Sequence, residues 1–149
     1  MLFILGSDRT GARLKDILKE DLMNHSYKVL DTAEIPADSF VDASIAVVRE
    51  VMKSDDRFGI IIDAYGAGSF MTVSRIKGVI AAEVSDERTA FMTRSHNNTR
   101  ILCIGADITG GQLAKNIVRN FAQGSYDGGR HQIRVDMLNK MGMPREDIL

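Results

Sequence analysis

Tryptophan is absent from the 149 residues, proline occurs only at Pro36 and Pro144, and cysteine only at Cys103. One cysteine excludes a disulfide framework within the chain, and a thiol in an apolar run fits a reducing cytoplasm. So little proline leaves no Pro-rich linker, and there is no low-complexity tract or repeat of solenoid period. Neither sign of charge is in excess: 19 Lys and Arg against 20 Asp and Glu give a net charge of −1. That balance argues against an extended basic footprint for nucleic acid or an anionic membrane. No apolar run approaches the roughly 20 residues of a spanning helix. The opening MLFILGSDR is too short, and lacks the basic lead, to be a secretion signal. No HxxxH, paired-cysteine or clustered-carboxylate pattern suggests a metal. No GxGxxG opens the first βα unit, so no dinucleotide site is expected. What remains is continuous globular material, enough for one domain over 1–149 and too short for two.

The chain is organised around Gly59–Met71, GIIIDAYGAGSFM. Three consecutive isoleucines suit a strand buried on both faces, as in a parallel sheet covered by helices. Gly66 and Gly68 let the chain turn at the strand's C-terminal end, and Ser69–Lys77 reads as a helix start. Strand, glycine turn and helix N-terminus form a geometry that holds anions, and also a plain βα turn. Around it the pattern predicts strands at Leu2–Leu5, Lys28–Leu30, Val79–Glu83 and Ile101–Gly105. Helices are expected after Thr10 as a cap, with Leu14, Ile17, Leu18 and Leu22 at helical spacing, and over Phe40–Met52, with Val41, Ile45, Val48 and Met52 on one stripe. Further helices are expected from Asp86 towards Arg94, from Thr109 as a cap through Phe121, and from about Arg130 to Met141. Such alternation implies a parallel sheet with right-handed helical crossovers on both faces. Ligands of such sheets bind past the C-terminal strand ends. Four strand tips are therefore candidates: Ser7-Asp8-Arg9, Asp63–Gly68, Ser85-Asp86 and the turn after Gly105. The last helix has no following strand, and its stripe of Ile133, Met137, Leu138 and Met141 is expected to pack on another subunit.

Three polar constellations can carry chemistry. In Arg94-Ser95-His96-Asn97-Asn98, a neutral histidine can move a proton at a sugar oxygen while an adjacent amide steadies an oxyanion. The same residues also read as a helix end, with Asn97 as a left-handed cap. Arg130 and Arg134, at i and i+4 with His131 between them, present two guanidinium forks that match a phosphate, or else form a solvated face paired with Asp127 and other carboxylates. Asp8 with Arg9 at the first strand tip, and Asp63 at the third, can bind sugar hydroxyls or act as bases, or cap the helices that follow.

The stretches GSDRTGARLK, GIIIDAYGAGSFM, SHNNTRILCIGA and YDGGRHQIRVDMLNKM resemble the family of ribose-5-phosphate isomerase B and galactose-6-phosphate isomerase, over nearly the whole chain. The resemblance implies an α/β fold, a three-layer α/β/α Rossmann-like sandwich on a five-stranded parallel sheet. It implies a cofactor-free aldose–ketose sugar-phosphate isomerase, a dimer or tetramer with active sites between subunits. His96 matches the ring-opening histidine, Asn97 the residue that supports the enediolate, and Arg130 and Arg134 the phosphate ligands. Departures from the family are equally informative. Its proton-transferring cysteine is Asp63 here, the threonine two residues later is Tyr65, its first-tip Asp-His pair is Asp8-Arg9, and an arginine after the fifth strand is Asp107. The expectation is a division of labour: this chain lends His96 and Asn97 to a related B subunit that carries the cysteine and threonine, for galactose 6-phosphate and tagatose 6-phosphate. Arg130 and Arg134 are expected to face this chain's own strand tips. The alternatives are Asp63 as the base itself, a ribose 5-phosphate or allose 6-phosphate substrate, and a non-catalytic structural partner.

Overall fold

The computed structural model describes residues 1–149. Its elements, in chain order, are β1 (Leu2–Ser7), α1 (Ala12–Asn24), β2 (Lys28–Asp31), α2 (Phe40–Val51), β3 (Arg57–Asp63), α3 (Ala67–Val73), β4 (Ala81–Glu83), α4 (Glu87–Asn97), β5 (Ile101–Gly105), α5 (Gly111–Gln123) and α6 (Gln132–Lys140). All strand pairs are parallel, in the order β2-β1-β3-β5-β4. Ile60, Ile61 and Ile62 are wholly buried, as their β-branched run demands of the central strand. Side chains alternate across the sheet. Ile60 and Ile62 pack with Leu14, Leu18, Ile117 and Phe121 under α1 and α5, while Ile61 packs with Val47, Val48 and Val73 under α2 and α3. The result is the expected three-layer α/β/α sandwich.

Local corrections have local causes. The α2 stripe that reaches the core is Ala43, Ser44, Val47, Val48 and Val51, whereas Val41 is exposed. Ser44 is tolerated there because its hydroxyl donates to the Phe40 carbonyl. Thr10 does not cap α1: its amide and hydroxyl both donate to Asp8 Oδ1, at 2.9 and 2.6 Å, and Gly11 is the N-cap residue. Thr109 does not cap α5, whose N-cap residue is Gly110; its hydroxyl is buried without a partner. Asp86 and Ser39 are caps, accepting from Thr89 N at 2.7 Å and Asp42 N at 3.2 Å. A buried Lys15 ammonium, bonded to Asp31 at 2.6 Å and the Ala33 carbonyl at 2.7 Å, ties α1 to the loop after β2.

The direction of each helix decides where functional residues stand. A helix that joins parallel strands runs back from their C-terminal ends to the N-terminal edge. The ends of α4 and α5 therefore lie at the N-terminal edge of the sheet. From there Gly129–His131 forms a short 3₁₀ turn into α6. Val135 is 1% exposed, whereas Ile133, Met137 and Met141 are 68%, 62% and 65% exposed. The stripe read from the sequence is thus present and left uncovered by this chain. No helix is long and apolar enough to cross a membrane.

Candidate active site

The first cluster stands at the C-terminal strand ends, where β1 and β3 lead to crossovers on opposite sides and open a crevice. Asp8 and Asp63 follow paired residues of those strands, Ser7 and Ile62. Asp63 is 4% exposed and accepts four hydrogen bonds. Oδ1 receives Tyr65 N at 3.0 Å and Gly66 N, and Oδ2 receives Ser69 N at 2.9 Å and Ser69 Oγ at 2.8 Å. The carboxylate is therefore the anion at the start of α3, and the amides of this turn are spent on it. Gly66 has φ +77°, and a Cβ there would sit 3.1 Å from Gly105 N. A Cβ on Gly68 would meet the Phe40 ring at 3.0 Å. Both glycines thus serve close packing at this tip. Asp8 Oδ1 is likewise engaged, by Thr10 and by Gly11 N at 3.2 Å. Tyr65 points outward, 62% exposed, and Asp107 is exposed on the next turn.

Glu83 is a site neighbour that the candidates Ser85-Asp86 at this tip leave out. β4 ends at Glu83, as expected for its strand, and Glu83 Cγ would lie 3.1 Å from a Cβ on Gly66. The Glu83 carboxyl is pushed above its usual 4.5 by burial and then by the charge of Asp63. A glutamate closing an otherwise apolar VIAAE run was the available signal. The same two carboxylates, after full burial, raise the Cys103 thiol, so this cysteine is an inert core residue.

The second cluster stands at the opposite edge, on the last turn of α4. β3 alone, seven residues long at about 3.3 Å per residue, separates the two edges by roughly 20 Å. The left-handed cap is Asn98, at φ 54° and ψ 34°, so Asn97 is the last helical residue, with its side chain exposed. The His96 ring stacks on His131, with centroids 4.3 Å apart and planes 13° from parallel. Asp127 N donates to the Ser95 carbonyl at 3.0 Å, docking the 3₁₀ turn against α4. That contact brings Arg130 and Arg134 to the His96 edge. The expectation that they face this chain's own strand tips is corrected, because α5 returns the chain to the N-terminal edge before they occur. Both arginines are exposed, neither forms an ion pair, and Arg134 Nη1 donates only to the Arg130 carbonyl, at 3.2 Å. Partial burial, then the facing His96 and Arg130, hold the His131 imidazole below its usual 6.5, with Arg134 adding and Asp127 opposing.

The structure therefore brings His96, Asn97, Arg130 and Arg134 to one edge, and Asp8, Asp63, Tyr65, Gly66 and Gly68 to the other. The first edge offers an imidazole, an amide and two guanidinium groups without ion-pair partners. The second offers carboxylates engaged by their own loops. No group of three or more His, Cys, Asp or Glu comes together to hold a metal.

Comparison with known proteins shows what the whole chain is similar to. The galactose-6-phosphate isomerase subunit LacA of Streptococcus mutans is 60% identical over 141 residues, covering 95% of this chain and 99% of that protein. LacA of Staphylococcus aureus strain JH9 is 55% identical over the same share. Among solved structures, ribose-5-phosphate isomerase B of Thermotoga maritima superposes with a TM-score of 0.88 at 28% identity, over 93% of this chain and 97% of that one. The Mycoplasma genitalium enzyme with bound ribulose-5-phosphate gives 0.88 at 33% identity, over 93% of each chain. Residues 3–138 match the ribose/galactose isomerase family, and the chain belongs to that family.

Proposed function

We propose that this chain is one subunit of an aldose–ketose isomerase interconverting galactose 6-phosphate and tagatose 6-phosphate. It lends His96, Asn97, Arg130 and Arg134 to a composite site whose other wall is the strand-tip cluster of a related subunit. The carrying observation is the separation of its two clusters by the length of the sheet, with the proton-carrying one left free and the other filled by its own hydrogen bonds. The exposed stripe of Ile133, Met137 and Met141 on α6, beside the free cluster, supports a covering partner. The sugar follows the relatives at 60% identity, which are named for galactose 6-phosphate, rather than the more distant ribose enzymes.

In this reading the guanidinium groups of Arg130 and Arg134 hold the phosphate. His96 takes the proton of the anomeric hydroxyl and returns one to the ring oxygen, opening the hemiacetal to the aldehyde. A base on the partner then removes the proton from C2. Electrons pass to the carbonyl oxygen, and the Asn97 amide donates to the developing enediolate. The hydroxyl proton on O2 passes to O1, and return of the abstracted proton to C1 leaves the carbonyl at C2, which is the ketose. The chain alone is inactive, since its own tip offers Asp63 with both oxygens occupied. The test is reconstitution with the related subunit. His96→Ala is expected to lower turnover by roughly 10² or more, the range for a lost acid–base group. Unchanged turnover removes His96 from the chemistry. A merely structural partner would not leave two unpaired guanidinium groups beside a histidine and an amide, and the same variant discriminates that reading.

A further inference from the structure

Arg94 and His96 share a helix but lie about 200° apart around it, at about 100° per residue, so they face different surroundings. On the Arg94 side, at the same edge of the sheet, lies an open basin of about 560 Å³. Arg94, Arg100, Arg145, Asn98 and Asn139 supply its polar wall, and Phe58, Met52 and Ile80 an apolar one. Its only carboxylate is Asp55, which pairs with Arg100 Nη1 at 3.2 Å. Arg100 is otherwise engaged by backbone carbonyls, including Val51 O at 2.6 Å and Arg57 O at 3.1 Å. The Arg94 guanidinium lies over the Phe58 ring at 4.9 Å and donates to Asn98 Oδ1 at 2.6 Å. It meets no carboxylate, and its Nε is buried without a partner. Arg145 gives only its Nε, to the Lys77 carbonyl at 3.1 Å. Gly78, at φ +78°, passes beneath it, and a Cβ there would stand 2.6 Å from Arg145 Nη2. Three guanidinium groups thus line one basin that holds a single carboxylate, and only Arg100 is paired with it. Burial first, and then its arginine neighbour, destabilise the charge on Arg94, and burial leads for Arg100 as well. Partly desolvated cations without counter-charge are costly, and a bound oxyanion removes that cost.

We propose that this basin is a binding site for a small phosphate-bearing metabolite, separate from the His96 cluster. The planar forks of Arg94 and Arg145 suit a tetrahedral oxyanion, the volume admits a molecule of sugar-phosphate size, and the Asn98 and Asn139 amides suit its hydroxyls. Neither the sugar reaction nor the composite active site is needed for it.

Calorimetric titration of inorganic phosphate and of glycerol 3-phosphate into the full chain tests it, in an Arg130→Ala/Arg134→Ala background that removes the other candidate phosphate ligands. Saturable binding is expected to remain in that background. Adding Arg145→Gln, an exposed substitution, is expected to weaken it roughly tenfold or more, about 1.4 kcal/mol for one charge-assisted hydrogen bond. Arg94→Met, checked for folding by circular dichroism, is expected to do the same. Absence of saturable binding in the background, or equal affinity with and without Arg145→Gln, overturns the proposal. So does binding that is present in the isolated chain and lost in the assembly with its partner, which would assign the basin to the partner's own acidic side chains. None of these outcomes depends on turnover, so the site can fail while the isomerase reading stands, and the reverse.

Discussion

Asp63→Asn separates a structural carboxylate from a catalytic one. The native side chain receives four donors, two on each oxygen. An asparagine oxygen kept on the Oδ1 side still serves Tyr65 and Gly66. Its NH₂ then faces Ser69, whose hydroxyl can turn and accept but whose backbone N–H cannot. One buried amide is left unsatisfied, at about 1–3 kcal/mol. The surviving bonds also lose the charge that roughly doubles their strength. The opposite placement is worse, since it strands the amides of both Tyr65 and Gly66. The expected destabilisation is about 3 kcal/mol, a large fraction of the roughly 5–15 kcal/mol that holds a domain.

Urea denaturation measures this directly: the midpoint falls with the slope unchanged. For a chain of this length the melting temperature drops by roughly 6–12 °C. Amide exchange at Tyr65, Gly66 and Ser69 speeds up ahead of the core strands. In the reconstituted assembly, assayed well below the new melting temperature, turnover is unchanged. Two results refute the reasoning. A shift under about 0.5 kcal/mol, the range of ordinary surface changes, means the four hydrogen bonds are not holding the turn. Abolished turnover in a fully folded assembly makes Asp63 a base after all.

Three further outcomes follow from the same geometry. Glu83 is raised above 4.5 in the folded state, so its contribution to stability is full below 4.5 and is lost as pH rises through the higher folded value. Glu83→Gln is therefore expected to raise the denaturation midpoint at pH 7 and leave it unchanged well below pH 4.5. The folded chain holds the His131 proton less readily than the unfolded chain, so that contribution is full above 6.5 and is lost as pH falls through the lower folded value. By NMR titration His131 has a midpoint below 6.5, and His96→Ala moves it upward; no movement breaks the link between the stacked rings. Ile133→Asp, at a site 68% exposed, is expected to change the stability of the isolated chain by less than about 0.5 kcal/mol. It weakens the mixed assembly roughly tenfold or more, read by sedimentation.

The central strand was legible because three β-branched residues in a row have few homes other than a doubly covered sheet, and the layers followed from the alternation of elements. The α2 stripe was not, because a serine that bonds back to the Phe40 carbonyl looks polar in the sequence and sits in the core. The caps expected at Thr10 and Thr109 do not form because both helices start at a glycine N-cap without a side-chain oxygen, and Asp8 instead holds the Thr10 and Gly11 amides. His96 and the two arginines were picked out by residue type, but not their common edge. That edge is nonetheless implied by direction alone. A helix after β5 must run back to where the strands begin, and the turn at Asp127 follows it there. Strand order and the Arg94 basin depend on contacts between distant segments, which no local pattern records.

The separation of the two clusters also bears on how many working sites an assembly has. With its two clusters at opposite edges of the sheet, this chain does not bring His96 to its own Asp63 tip, so under the proposed function the composite site joins two chains. If two related chains pair about a pseudo-twofold axis, each presents its α4 end to the other's strand tips, which creates two cavities. In one, His96, Asn97 and the two arginines face the partner's tip. In the other, the partner's α4 end faces Asp63, whose oxygens are filled, and Tyr65, whose ring stands outward. Under the proposed function only the first cavity turns over, one per pair. The second keeps the shape of a site while its carboxylate holds the start of α3 together. A chain released from providing a base at that tip is free to use the position for stability, which accounts for an aspartate bonded on both oxygens where relatives of the wider family are expected to carry a thiol.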